Sequence, residues 1–449
     1  MKTNSDEMHN QEMLLKKIRQ SSEVFDKLAN SYEVWVPESG WLAGRRNRDK
    51  NDSKRKNLTD WSILSFLLEI DNCHYPMADS YLQYGIDGVI RIAAETLETI
   101  KNNLQSELQD QTQLDIVYLE SLLHVWKRFR QFVADHMVLA LECAKQETSD
   151  TKKKRYEKIA KICQNLTINK PNTFCEALQL FWFTYLFRSP FGAGCIGRLD
   201  QLLYPFYKHD CEMGIWDQQE AEKMLEEMFT RMNEINTGDT LRNLMLSGQD
   251  AKGNDQTNEI TYLILVAYEN TGGSEPHLNV RFHEKTPKKL RDNCINMLSS
   301  GSGQPTIYFD EAVLPAMEKA GICHEDACQY ANDGCTETVI AGKSAIVFWQ
   351  YEMVKTVELT LFGGNENPCV KPVSMKKNSI HGADFVPKTN LLIGIESKKP
   401  QELTTFSEFL SAFFEQMDHQ LDHYFLMIKQ KMQEDQTVSI TSPFTAGTF

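Results

Sequence analysis

No stretch of the 449 residues approaches eighteen uncharged apolar residues in a row, so no membrane-spanning helix is expected. Residues 1–17 are polar and charged and lack the apolar core of a secretory signal, which points to a cytoplasmic protein. Positive charge is also in deficit: 48 Lys and Arg face 62 Asp and Glu, for a formal net charge of −14. That balance argues against a nucleic-acid binder, because phosphate backbones reward clustered Lys and Arg. One local exception, Arg45, Arg46, Arg48, Lys50, Lys54, Arg55 and Lys56, lies in polar surroundings and reads as a solvated loop. The eleven cysteines show no paired spacing and are expected as free thiols. Cys323 and Cys328 bracket His324 and Glu325 without a second matching pair, so no metal is expected. Residues 192–197 contain the spacing G-x-G-x-x-G but lack the flanking strand and helix that a dinucleotide site needs, which excludes NAD.

What the chain does have is apolar periodicity. At 41% hydrophobic content it can bury a large core. Residues 12–29, 85–97, 115–145, 152–163 and 217–236 carry apolar side chains at helical spacing; the stripe of 115–145 runs through Val117, Leu122, Val125, Phe129, Phe132 and Val138. Residues 173–187 are apolar on nearly every side, which predicts a helix buried all round. Residues 257–270 read as a helix, with Glu259 following a polar start. Residues 310–320, 324–330, 351–362 and 405–431 complete the helices, while 244–247, 277–282 and 306–309 read as short strands. Strands separated by helices argue for a barrel or layered α/β fold. Residues 1–57 are expected to form a polar N-terminal extension that Trp35 and Trp41 anchor to a body spanning 58–449.

The chemistry concentrates at residues 332–344, N-D-G-C-T-E-T-V-I-A-G-K-S. Gly334 permits a bend, and Cys335 and Glu337 lie two apart, a spacing that aims side chains alike in extended backbone. A thiol can exchange a hydrogen atom or an electron, and a carboxyl group can move a proton for a leaving group. A lone C-x-E is equally consistent with a turn around a buried cysteine. Arg242 and His277 could hold a carboxylate or hydroxyl group of a substrate, or serve as structural hydrogen-bonding groups.

Four stretches in order carry a resemblance: 173–179 (T-F-C-E-A-L-Q), 197–205 (G-R-L-D-Q-L-L-Y-P), 257–261 (T-N-E-I-T) after Ser247-Gly248, and 303–311 followed by D-G-C-T-E at 333–337. With these the chain resembles the glycyl radical enzymes, the superfamily of pyruvate formate-lyase, from residue 85 to 449. The resemblance implies an α/β fold, a ten-stranded barrel of two antiparallel five-stranded halves with helices outside, incomplete at its C-terminus in this chain. It implies Cys335 as the thiyl position and Glu337 as general acid or base. Pyruvate formate-lyase proper has two adjacent cysteines, whereas Gly334 and Thr336 flank Cys335 here. The chain is therefore similar to the Cys-x-Glu branch of dehydratases, lyases and arylacetate decarboxylases, which implies elimination of water or amine, or decarboxylation, of a small polar substrate. Asp200 and Gln201 match a family motif and are read as packing residues; Thr338, a substrate-binding candidate, stands where many dehydratases have proline, and Phe309 where asparagine is frequent.

The resemblance also implies a homodimer, no permanently bound cofactor, and a glycyl radical installed by a radical S-adenosylmethionine activating enzyme. No R-V-x-G motif follows Cys335. The radical is therefore expected in trans, from a glycyl radical domain or a full-length family member. The alternative is a catalytically inactive, truncated paralogue that acts as a binding or partner subunit.

Overall fold

A helix that is apolar on all sides needs neighbours on all sides, and Phe174–Phe187 has them. In the computed structural model every residue of this helix except Glu176 is buried. The structure describes residues 4–45, 78–102, 110–187, 194–234, 242–272, 275–334, 336–341, 343–344, 353–365, 394–398 and 400–434. The basic run from Arg46 to Lys56, the entry to the expected body at residue 58, and Cys335 lie outside them. Two compact units emerge, residues 1–346 with 441–449, and residues 347–440.

In the first unit, helices Asn4–Ser31 (α1), Ala78–Asn102 (α2), Asp110–Gln146 (α3), Asp150–Ile168 (α4) and Phe174–Phe187 (α5) precede strand Gly194–Gly197 (β1). Helices Leu199–Met213 (α6) and Gln218–Glu234 (α7) lead to Arg242–Ser247 (β2), and Glu259–Thr271 (α8) to His277–Phe282 (β3). Lys288–Ser299 (α9) leads to Thr306–Phe309 (β4), which runs into Asp310–Lys319 (α10) and the single turn His324–Ala327 (α11). The four strands form one parallel sheet in the order β1-β2-β3-β4, and Ala331–Asp333 (β5) and Glu337–Val339 (β6) form a separate antiparallel hairpin. Parallel neighbours require a crossover, and the intervening helices provide it. Among the described residues the barrel is thus represented by these four strands and the hairpin, rather than by ten strands.

Side chains of α1 to α5 and one face of the sheet share a single apolar core. Residues 1–57, polar by composition, contribute Phe25, Leu28, Ala29, Leu42 and Ala43 to it. The segment after α1 is tied down by Gln179, whose side chain accepts from Ala43 N–H at 2.7 Å and donates to Ala43 C=O at 3.0 Å, and by Trp41 packed edge-on to Trp216 at 5.1 Å. The stripe on α3 is buried through Phe132, but Val138 is exposed; the row continues through Val133 and His136 instead.

The helix at 259–271 also starts differently from the sequence pattern. Asn258 Oδ1 accepts from Thr261 N–H at 3.2 Å while Thr261 Oγ1 accepts from Asn258 N–H at 3.1 Å, so Thr261, not Glu259, closes the capping box. The glycines at 194–197 lie inside β1 itself, and α6 follows within two residues, so no glycine-rich turn separates strand from helix. In the second unit, Met353–Leu361 (α12) packs on Phe406–Glu434 (α13), with Thr356 Oγ1 donating to Gln420 Oε1 at 2.9 Å. No described helix is long and apolar enough to cross a membrane.

One buried polar group in the helical layer has a measurable consequence. His136, fully buried among Phe132 and Phe183, donates from Nδ1 to the Phe132 carbonyl at 2.8 Å, and burial lowers its pKa to about 4. A folded state that refuses the proton loses stability as pH falls from the ordinary histidine value of 6.5 toward 4, because only the unfolded chain gains it. Urea unfolding between those pH values should show a stability loss of roughly 3 kcal/mol, and His136→Leu should flatten that slope. An unchanged slope in the variant would remove His136 as its source.

Candidate active site

The alternation of β2 and β3 gives the sheet two unlike faces. Leu244, Leu246, Leu278, Val280 and Ile196 join the helical core, whereas Asn243, Met245 and Ser247 and their register partners His277, Asn279 and Arg281 form the opposite rows. Central parallel strands are usually apolar on both faces, so a buried polar row marks a face with a different task. On that face Cys195 and Met245 pack with Ala331, Val339 and Tyr330, which seats the hairpin there.

The hairpin pairs Ala331 with Val339, Asn332 with Thr338 and Asp333 with Glu337. Gly334 and Thr336 lie in the turn between its strands, with Thr336 N–H donating to Asp333 C=O at 2.9 Å. Thr336 has φ of 112°, unusual for a β-branched residue, and lies in a turn. Asp333 is fully buried and Glu337 half-buried; Thr336 and Thr338 are exposed. Burial pushes the Tyr308 phenol on β4 up; the Asn332 side chain opposes that shift and the charge of Glu337 adds to it.

Two sets of contacts hold the hairpin. At the tip, Asn243 Nδ2 donates to Gly334 C=O at 2.8 Å, and Asn279 Nδ2 donates to Asn243 Oδ1 at 2.7 Å. At the stem, the fully buried Arg281 meets Asp310 with Nε to Oδ1 and Nη2 to Oδ2, both at 2.8 Å. Its Nη1 donates to the carbonyls of Cys328 at 2.9 Å and Tyr330 at 3.3 Å, and its guanidinium lies 4.0 Å over the Tyr330 ring. Tyr330 Oη and Gln249 N–H donate to the Asp310 carboxylate at 3.0 Å each. Arg198 adds bonds to Ser247 C=O at 2.9 Å and Cys328 C=O at 3.2 Å. Gly248 is required here: at φ 95°, a Cβ would come within 2.5 Å of Arg281 Nε.

The sequence candidates divide. His277 stands opposite Asn243 on the polar row, half-buried, with burial lowering its pKa. Arg242 shares its row with Leu244 and Leu246, and its guanidinium bonds to Tyr185 Oη on α5 and lies over the Tyr185 ring. Thr338 lies on β6, exposed. Asp200 accepts from Ser247 N–H at 2.8 Å and Thr261 Oγ1 at 2.7 Å, and Gln201 Nε2 donates to Gln256 C=O at 2.7 Å, so two of the motif stretches meet in space as structural partners. Asn243, Asn279, Arg281 and Asp310 escaped the sequence; the available signal was polar residues at alternate positions of H-L-N-V-R-F. Cys328 Sγ lies 3.6 Å from His324 Nε2, and among the described residues no group of three or more His, Cys, Asp or Glu could hold a metal.

A family model described as pyruvate formate lyase-like matches residues 72–439. Trans-4-hydroxy-L-proline dehydratase of Clostridioides difficile is 31% identical over 301 residues, 63% of this chain and 36% of that protein. Isethionate sulfite-lyase of Oleidesulfovibrio alaskensis is 28% identical over 333 residues, 69% of this chain and 37% of that protein. A solved glycyl radical enzyme from Archaeoglobus fulgidus superposes with a TM-score of 0.72 at 19% identity, over 97% of this chain and 62% of its own. The chain thus spans about a third of the length of these curated relatives.

Removing one partner of the buried ion pair leaves a charge without compensation, typically at about 3–5 kcal/mol. Asp310→Asn should therefore unfold at markedly lower urea, and the paired replacement Arg281→Met with Asp310→Leu should recover much of the loss. Equal stability of Asp310→Asn and the parent would show that the pair does not support the fold.

Proposed function

Because the chain belongs to the pyruvate formate lyase-like family and carries the glycyl radical enzyme fold, we propose that it is the cysteine-bearing part of a glycyl radical lyase. The carrying observation is that the strands ending at Asp333 and starting at Glu337, on either side of Cys335 in the sequence, pair as a hairpin anchored through Gly334 on the buried polar row of the sheet. The supporting relatives are named for cleavage of small hydroxylated or sulfonated substrates, so the substrate class proposed here is a small polar molecule with a leaving group next to an abstractable hydrogen.

The chemistry a glycyl radical supplies is removal of one hydrogen atom from a thiol. Cys335 is the residue to receive that treatment and then to take a hydrogen atom from a substrate carbon: the C–H bond breaks as S–H forms. The adjacent bond to oxygen, nitrogen or sulfur breaks next, and Glu337 gives the departing group its proton. The sulfur finally returns its hydrogen atom to the product. A decarboxylation would use the same two side chains, with Glu337 moving a substrate proton. His277, on the row facing the hairpin, is the first substrate-contact candidate, with Thr338 on the hairpin and Arg242, which bonds to Tyr185 Oη, as the others. The radical glycine and the rest of the fold come from polypeptide beyond this sequence, with a radical S-adenosylmethionine activating enzyme as the further partner and a homodimer as the assembly.

Material reconstituted under anoxic conditions with the remaining portion of the fold and an activating enzyme should turn over one of a panel of small hydroxy or sulfonic acids. Cys335→Ala should fall to background, and Glu337→Gln should lose on the order of 10²–10⁴-fold. Undiminished turnover by Cys335→Ala would end this proposal.

A further inference from the structure

A carbonyl oxygen can only accept a hydrogen bond, so the group facing Gly334 C=O must be the donating half of the Asn243 amide. Asn243 Oδ1 then points back along the sheet and demands a donor, which Asn279 Nδ2 supplies at 2.7 Å. Both side chains are almost wholly buried, at 4% and 2% exposure, so water does not substitute for either bond. The order of donors is therefore fixed over two strands, from β3 through β2 to the peptide that precedes Cys335.

We propose that Asn243 and Asn279 are positioning residues: a two-amide relay that fixes the Gly334 carbonyl and, through it, tunes the reactivity of the thiol next in the sequence. Neither touches the reacting atoms. The relay accounts for two of the buried polar residues on the sheet. Its importance for catalysis rests on Cys335 being the working thiol, but the relay itself does not.

The relay has a signature that a merely space-filling role lacks. Asn279→Asp replaces a donor with an acceptor, so above the pKa of the introduced carboxyl group Asn243 must turn its Nδ2 toward position 279 and release Gly334. Below that pKa the acid O–H donates again and the parent order returns. His277 and Arg281 flank position 279 on its own row, and Asp333 and Glu337 lie on the hairpin. The parent carries the same groups, so the ratio of variant to parent isolates the new carboxyl group.

The experiment is N-ethylmaleimide labelling of Cys335, read by peptide mass spectrometry from pH 5 to 8, with the exposed Cys211 and Cys323 in the same digest as references. Asn243→Ala should label Cys335 roughly three- to tenfold faster than the parent, the factor expected for one lost hydrogen bond. Asn279→Asp should match it at pH 8 and return toward the parent at pH 5, while Asn279→Ala should give a ratio independent of pH. Parent-like labelling of Asn279→Asp at every pH, or a flat ratio, overturns the relay. Should Asn243→Ala fail to fold, the Asn279→Asp profile decides alone. Labelling needs no turnover, so an altered Cys335 rate beside a still-active Cys335→Ala would count against the lyase reading and leave the relay standing.

Discussion

The bidentate contact between Arg281 and Asp310 is the constraint on which the rest of the site depends. Two charges with no exposure to solvent are tolerable only if nearly every donor and acceptor is matched, because burial removes the water that would otherwise solvate them. Here the match is close to complete: Arg281 serves Asp310 and two carbonyls, and Asp310 receives a backbone N–H and a phenol besides. The contact joins the end of β3, the start of α10, the turn at 247–249 and the strand-like entry at 328–330. Four segments far apart in sequence thus converge on one ion pair, and the last of them is the stem of the cysteine hairpin.

A division of labour follows from the two faces of the sheet. The apolar rows of β2 and β3 close the helical layer and provide burial, while the polar rows organise the hairpin. Asp200 extends the same logic to the rim, since its carboxylate collects Ser247 N–H and Thr261 Oγ1 and so fastens β2 to α8. The motif stretches at 197–205 and 257–261 are partners in a hydrogen-bond network, which explains why they occur together without either holding a reactive group.

Periodicity made most elements legible because each has a dominant apolar row: β3 and β4 fall where alternation puts them, and α5 is buried all round as its composition demands. What escaped was parity. Strand β2 begins at Arg242, two and four positions before Leu244 and Leu246, so it shares their row on the helix side. Val138 fails for a similar reason. Six residues past Phe132 it has rotated about 240° around the helix at 100° per residue, so Val133 and His136 continue the buried stripe instead. The Asn243–Asn279 pair and the Arg281–Asp310 pair join strands across crossovers of tens of residues, and no local pattern encodes which polar side chains will meet.

The hairpin tip shows why such long-range contacts matter for chemistry. Thr336 adopts φ of 112° despite its branched Cβ, a conformation that costs on the order of 1–3 kcal/mol and persists only when its surroundings over-determine it. The β5–β6 pairing fixes the strands on both sides of the turn, the arginines fix the stem, and Asn243 fixes the carbonyl of Gly334. With both strands and the Gly334 carbonyl held, the turn at Gly334 and Thr336 is braced from the sheet. An arrangement of that kind spends conformational entropy during folding, so the polar row of the sheet sets the geometry of the turn as the chain folds.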